Sequence, residues 1–297
     1  MEIQSLSIAV PGKKCVNNCK FCVSKMHNSN YPDYISWDEF NVEKCSKSEH
    51  DYIGKLEFVR DNNCHIVMLT GSIEPMQNTN FLRRFAFMNN QLKNPFKWIE
   101  MQSSGLFLND PQKLEFLKDE VKVKTISLSI SSLNNDVNNE IIGFPENHRI
   151  DIADVCSKIK DFGFNLRLSI NLNKDFETRY GFDIDNFMDE LLYLKPDQIT
   201  FRKLYISSSI ETPENTWIYE NYYSDEYYNT LVSYIQSGKL IDIIPYDRSK
   251  YSFHGVGVMI NDNCMNKPII EGNYEYMILR ENCKLYSKWD DPASLIF

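Results

Sequence analysis

Cys15-Val16-Asn17-Asn18-Cys19-Lys20-Phe21-Cys22 sets three thiols on one short loop, close enough in sequence to grip a single metal centre from one side. Four-cysteine sites give an iron-sulfur cluster a full set of protein ligands, whereas three cysteines leave one iron open. An open coordination position is where chemistry takes place. An iron-sulfur cluster is the most economical occupant, and the reading is catalytic. The rivals are a zinc site completed by a fourth ligand such as His27, and three loop thiols without a metal.

Outward from this loop the chain alternates between strand and helix signals. Ile3 to Val10 (IQSLSIAV) is β-rich until Pro11-Gly12 breaks it, so the cysteines follow a first strand. Ser36-Trp37-Asp38-Glu39 has the form of a capping box and predicts a helical region towards Arg60, with Gly54 a point where it can break. His65 to Thr70 is a buried strand ending in Gly71, followed by a helix near Asn80 to Gln91 and a third strand from Phe96 to Gln102. Asp110-Pro111 opens a helix, and Lys124 to Ile130 is a fourth strand. Ile150 to Phe162 is an amphipathic helix closed by Gly163, and Phe164 to Asn171 the fifth strand. Asp185 to Leu194, Gln198 to Leu204 and Ser224 to Gln236 read as helix, sixth strand and helix.

Six strand-then-helix units predict a parallel sheet with helices outside. A complete barrel of this kind has eight units; the six over residues 1–238 give an α/β fold class and resemble a partial (β/α)6 TIM-like barrel. From about residue 239 the pattern changes to short strands between turns (IDIIPYD, YSFHGVGVMIND, YEYMILR). This predicts a small C-terminal β-rich extension over 239–297 that covers the barrel mouth or its open edge.

Composition bounds the function. The 297 residues are 42% hydrophobic and 25% charged, enough for one large globular domain with an appendage. No run approaches the roughly 18 to 20 apolar residues of a membrane span, and the first residues lack a signal-peptide pattern. Cys45, Cys64, Cys156, Cys264 and Cys283 are scattered through a chain too large to need disulfide staples, which fits a reducing compartment and a cytoplasmic location. A net charge of -9 argues against tight nucleic-acid binding. A small molecule, a peptide or a protein is the expected partner.

Active sites of parallel βα folds lie at the C-terminal ends of the strands. Three segments fall there: Thr70-Gly71-Ser72-Ile73-Glu74-Pro75, Met101-Gln102-Ser103-Ser104-Gly105-Leu106, and Ser129-Ile130-Ser131-Ser132-Leu133-Asn134 continuing to Glu140-Ile141-Ile142-Gly143. Together with Cys-x3-Cys-x2-Cys and the aromatic before its third cysteine, they resemble the radical S-adenosylmethionine (radical SAM) superfamily. The motif style is that of the branch containing the molybdenum-cofactor cyclase. The resemblance covers roughly residues 1 to 205. It departs from the family at Ile73, where a glycine is common, and at Ser131, where that branch has aspartate.

The resemblance implies a 4Fe-4S cluster on Cys15, Cys19 and Cys22, with the amino and carboxylate groups of SAM on the fourth iron. An external one-electron reductant of the flavodoxin or ferredoxin type then drives cleavage to a 5'-deoxyadenosyl radical, which takes a hydrogen atom from a small-molecule or peptide substrate. It places Gly71, Ser72 and Glu74 near the methionine ammonium, and Ser103, Ser129, Ser131 and Asn171 along SAM. Phe21 packs against cluster or adenine. Arg202 contacts an anion such as a carboxylate if it faces inward; strand alternation leaves the outward orientation open. Beyond residue 205 the candidates for catalysis are His254, Cys264 and Cys283, each also readable as a packed structural residue. Alternatives of the same chemistry are a glycyl-radical-type activase and a peptide-modifying enzyme. A non-catalytic iron-sulfur electron-transfer or binding protein is the alternative of another class.

Overall fold

All six expected strands form: β1 (Glu2–Val10), β2 (Ile66–Gly71), β3 (Trp98–Ser103), β4 (Thr125–Ile130), β5 (Asn165–Leu172) and β6 (Gln198–Lys203). In the computed structural model, which describes residues 2–27, 42–206, 211–244, 248–261, 272–289 and 291–296, they lie side by side in that order and parallel. The helices between them are α1 (Val23–His27), α2 (Val42–Asp61), α3 (Thr79–Gln91), α4 (Pro111–Asp119), α5 (Asn135–Ile142), α6 (Ile152–Asp161), α7 (Lys174–Tyr180) and α8 (Ile184–Tyr193). After β6 come α9 (Pro213–Glu220) and α10 (Asp225–Gln236).

Side-chain alternation along the strands explains the layering. Leu6, Ile8, Val67, Leu69, Ile126, Leu128, Leu166 and Leu168 are buried among the helices' apolar faces. The opposite faces of the strands enclose a lumen of about 400 Å³, lined by residues that include Ser7, Thr70, Gln102, Arg167, Arg202 and Met259. Its polar lining departs from the packed aliphatic layers of a complete barrel. At its lower end, Arg167 donates to Glu100 at 2.8 Å and to Gln198 at 2.9 Å, so a buried carboxylate and its guanidinium partner close the floor.

The helix from the capping box is described from Val42 onward, so Ser36 to Glu39 lie outside the described residues. It runs through Gly54 without a break. Buried Tyr52, Leu56 and Val59 hold one face against the core, which outweighs the ~1 kcal/mol cost of a helical glycine. Helices α5, α7 and α9 escape the sequence reading because each is only seven or eight residues long. Their caps were visible: Asn134, Asn173 and Thr212 each accept a backbone N–H of the first turn.

The described strands of the C-terminal extension join the same sheet at both edges. The strands β7 (Lys239–Ile244), β8 (Arg248–Phe253) and β9 (Val256–Asn261) form an antiparallel meander, and β9 pairs parallel with β6. The strand β10 (Asn273–Leu279) instead pairs parallel with β1 and carries the short antiparallel β11 (Leu285–Tyr286). The order β11-β10-β1-β2-β3-β4-β5-β6-β9-β8-β7 thus places eight parallel strands around the lumen.

Candidate active site

The cysteine loop leaves β1 at Pro11-Gly12 and is fixed by other segments. Val16 donates its N–H to Gln77 Oε1 at 2.8 Å, and Gln77 Nε2 donates to Lys14 O at 3.1 Å. Asn18 N donates to Gly143 O at 2.9 Å and Lys20 N to Ile141 O at 3.0 Å, docking the loop on the C-terminal end of α5. Lys20 Nζ adds a 2.6 Å contact to Glu140. Gly143 is required for this: its φ is +66°, and a Cβ there would lie 2.5 Å from Asn18 O. Gly71 meets a similar demand, since a Cβ would stand 2.5 Å from Val10 N.

Burial raises the thiols of Cys15, Cys19 and Cys22 above the ordinary cysteine value, and for Cys19 the negative charge of Cys22 and then of Cys15 raises it further. The three thiols therefore lie near enough for their charges to act on one another. Such a set becomes three thiolates when a cationic metal centre compensates them, which is what an iron-sulfur cluster provides. Among the described residues no three His, Cys, Asp or Glu side chains converge tightly enough for a single metal ion. A cluster presents a separate iron to each thiolate and takes sulfurs set more widely. The donor set fits that group.

Glu74 is 4% exposed and faces inward to the protein, not to the rim. Its Oε1 accepts from Ser103 Oγ at 2.7 Å, and its Oε2 accepts from Ser104 N and Ser104 Oγ, both at 2.8 Å. Asn17 of the cysteine loop donates to Ser104 Oγ at 2.8 Å. The expected ligands Glu74 and Ser103 are thus bonded to each other, tying the ends of β2 and β3 to the cysteine loop. Burial pushes the Glu74 carboxyl up, and the bonds from Ser104 and Ser103 pull it back part of the way. Its backbone N–H also reaches the Cys15 sulfur and favours the thiolate.

The remaining expected site residues separate into groups. Ser131 is fully buried; its N–H donates to Asn138 Oδ1 at 2.8 Å, and it accepts from Asn171 Nδ2 on Oγ at 3.3 Å and from Asn173 Nδ2 on its carbonyl at 2.7 Å. Ser129 is half-buried in register with Ser169. Ser72 Oγ donates to Glu281, which follows β10 and has no local signature that could have linked it to this site. Phe21 packs against Trp217 of α9, with ring centroids 6.2 Å apart. Arg202 faces the lumen, which decides its orientation, and its buried Nε has no hydrogen-bond partner among the described residues. Val23 and Ser24, directly after Cys22, line the same lumen.

The candidates beyond β6 fare differently. His254 and Gly255 form the exposed two-residue turn between β8 and β9, with φ of +48° and +86°. Since β9 runs parallel to β6, that turn lies at the end of the sheet opposite the cysteine loop, and the expectation that His254 faces the substrate is corrected. Cys283 is buried after β10, its thiol pushed up to about 12 by burial and then by Asp51. Cys264 lies outside the described residues.

Comparison with known proteins agrees with this geometry. The profile of the radical SAM superfamily matches residues 9–173, more than half of the chain. The chain belongs to the radical SAM superfamily. SAM and a 4Fe-4S cluster, expected from the sequence, are the cofactor pair of that family. Among solved structures, SuiB of Streptococcus suis bound to precursor peptide SuiA is similar at 14% identity and a TM-score of 0.55, over 96% of this chain and 59% of that one. The radical SAM coproporphyrinogen III oxidase HemN of Escherichia coli matches at 13% identity and a TM-score of 0.52, over 82% of this chain and 54% of that one. The protein anSMEcpe with bound AdoMet and Cp18Cys peptide matches at 12% identity and 0.53, over 79% and 59%. These likenesses show the fold, and this radical SAM chain spans less than two thirds of each structure. No curated protein matches it in sequence.

Proposed function

We propose that this chain is a radical SAM enzyme that holds a 4Fe-4S cluster on Cys15, Cys19 and Cys22 and abstracts a hydrogen atom from a peptide substrate. When bound, the cluster and SAM supply a one-electron cleavage that yields methionine and a 5'-deoxyadenosyl radical. The observation that carries the reading is the set of three neighbouring thiols on a loop whose next residues, Val23 and Ser24, line the barrel lumen.

The chain's own residues hold and orient. Docking of the loop on Gly143 and Ile141 fixes the cysteines, and the Glu74–Ser104–Asn17 bridge keeps the ends of β2 and β3 at a set distance from them. Gly71 and Ser72 offer backbone groups to the methionine ammonium; half-buried Ser129 offers a hydroxyl near the end of β4, suited to a ribose, and the buried, mutually bonded Ser131 and Asn171 brace the ends of β4 and β5. Phe21, packed on Trp217, braces the loop between Cys19 and Cys22 against α9. The peptide class rests on SuiB and anSMEcpe, whose structures contain peptides. HemN keeps a small-molecule substrate as the second reading. A cytoplasmic location and a flavodoxin- or ferredoxin-type reductant complete the proposal. The buried free thiols Cys64 and Cys156 suit such a compartment, and no helix among the described residues is long and apolar enough to cross a membrane.

The test is anaerobic reconstitution with iron and sulfide, then dithionite and SAM, assaying 5'-deoxyadenosine beside a variant with Cys15, Cys19 and Cys22 all changed to alanine. Nucleoside from the wild type alone supports the proposal. A reducible cluster that neither binds nor cleaves SAM overturns it in favour of electron transfer.

A further inference from the structure

The lumen contains two hydrogen-bond donors in search of an acceptor. Arg202 near the end of β6 has a buried Nε without a partner among the described residues, and guanidinium offers donors only. Gln102 of β3 is turned by Thr70, whose hydroxyl donates to Gln102 Oε1 at 3.1 Å; this leaves Gln102 Nε2 with the thioether of Met68 at 3.9 Å. A thioether is a weak acceptor. The other lumen arginine differs, because Arg167 is answered by Glu100 and Gln198. The lumen carboxylates do not serve Arg202. Glu100 is bonded to Arg167, and Glu275 stands early in β10, towards the floor end of the parallel sheet.

We propose that Arg202, with Gln102, receives a carboxylate of the substrate in the lumen, so that the substrate class is a carboxylate-bearing group. This rests on the radical SAM reading above. The family resemblance gives the SAM carboxylate to the open iron, and the cysteine loop that would hold that iron is docked on Gln77, Ser104 and α5, on the β2 to β4 arc. Arg202 stands on β6, four strands on from β2 in the sheet and beside β9. A half-buried guanidinium whose buried Nε lacks a partner among the described residues is favoured by an arriving anion, and a carboxylate accepts in the planar geometry its fork presents. The carboxylate has two sources, an acidic side chain or a chain terminus, and both offer the same two oxygens.

The experiment is calorimetric titration of the anaerobically reconstituted, SAM-bound protein with three probes. N-acetylglutamate α-amide carries a side-chain acid, N-acetylalanine a terminal one, and N-acetylglutamine α-amide none. The proposal expects one of the two acids to bind at least tenfold more tightly than the neutral probe, and which acid does so names the source. Arg202→Gln erases that preference, Arg202→Lys retains part of it, and SAM affinity stays within twofold in both, which also shows that the variants fold. A preference that survives in Arg202→Gln overturns the assignment. So does equal binding, or absence of binding, of acid and neutral probes. Loss of SAM affinity with an intact acid preference makes Arg202 a cofactor ligand instead. Failure of the wild type to bind SAM removes the radical SAM reading itself, whereas absence of acid preference with SAM bound removes this inference alone.

Discussion

The cysteine-loop end of β1 to β4 and the outer strands β7 and β8 are stabilised in opposite ways. Around the loop, polar groups are buried and answered across long sequence separations, as in Asn17 to Ser104, Ser103 to Glu74 and Asn78 Nδ2 to Pro11 O. In β7 the partner is its neighbour in sequence, and Leu240, Ile241 and Ile243 stay 48%, 48% and 66% exposed. Buried polar pairs fix distances because breaking one strands its partner. A hairpin edge needs only ladder bonds, so its side chains are free to vary. The difference teaches that rigidity in this fold is concentrated where the thiols must be held, while the sheet's far edge is structurally permissive.

The largest effect expected from this contrast comes at Glu74. Glu74→Ala strands Ser103 Oγ, Ser104 N and Ser104 Oγ in a buried site, which should cost on the order of 3 kcal/mol in denaturant unfolding and lower the iron bound per chain. A loss under 1 kcal/mol would break the comparison, as roughly a surface-level effect. Gly143→Ala should come next, at about 1–3 kcal/mol, because its positive φ and the approach of Asn18 O both oppose a Cβ. Iron loading should fall with it; unchanged loading would mean that α5 does not position the loop.

A smaller effect should appear with pH. Burial holds the Glu74 carboxyl above its ordinary range, so the folded state retains a proton that the unfolded chain releases. The stability this contributes is complete below the unfolded carboxylate value and is lost as pH rises through the elevated one. Glu74→Gln cannot titrate. The stability of the wild type relative to Glu74→Gln, followed by urea unfolding of the cluster-free chain, should therefore fall as pH rises and then level off. A rise over the same interval would reverse the assignment of burial as the dominant cause. Smallest of all, Ile243→Thr on the exposed edge should change stability by less than about 0.5 kcal/mol and leave iron content alone.

Several candidate residues were legible in position because their signals are local. Ser129, Ser131 and Asn171 could be placed at strand ends by counting along apolar runs, and Gly71 by its position after one. Glu74 was legible as the residue after β2's glycine turn but not as a buried one. Its environment is made by Ser103 and Ser104, whose meeting with it depends on β2 and β3 pairing in one register. His254 was misplaced for a related reason: its turn was visible, but which end of the sheet it occupies follows from β9 running parallel to β6.

By itself the sequence determined the three-cysteine loop, the six strand-and-helix units and the family they imply, since each rests on spacing within a few residues or on a period that survives any packing. The tertiary structure alone decided where the C-terminal strands go, with β10 beside β1 and β9 beside β6, because alternation fixes a strand's faces and says nothing of its neighbour. It also decided that Ser72 meets Glu281, 209 residues away, and that Arg202 turns into the lumen. Such contacts are made by chain segments whose proximity exists only once the sheet has curved around its interior.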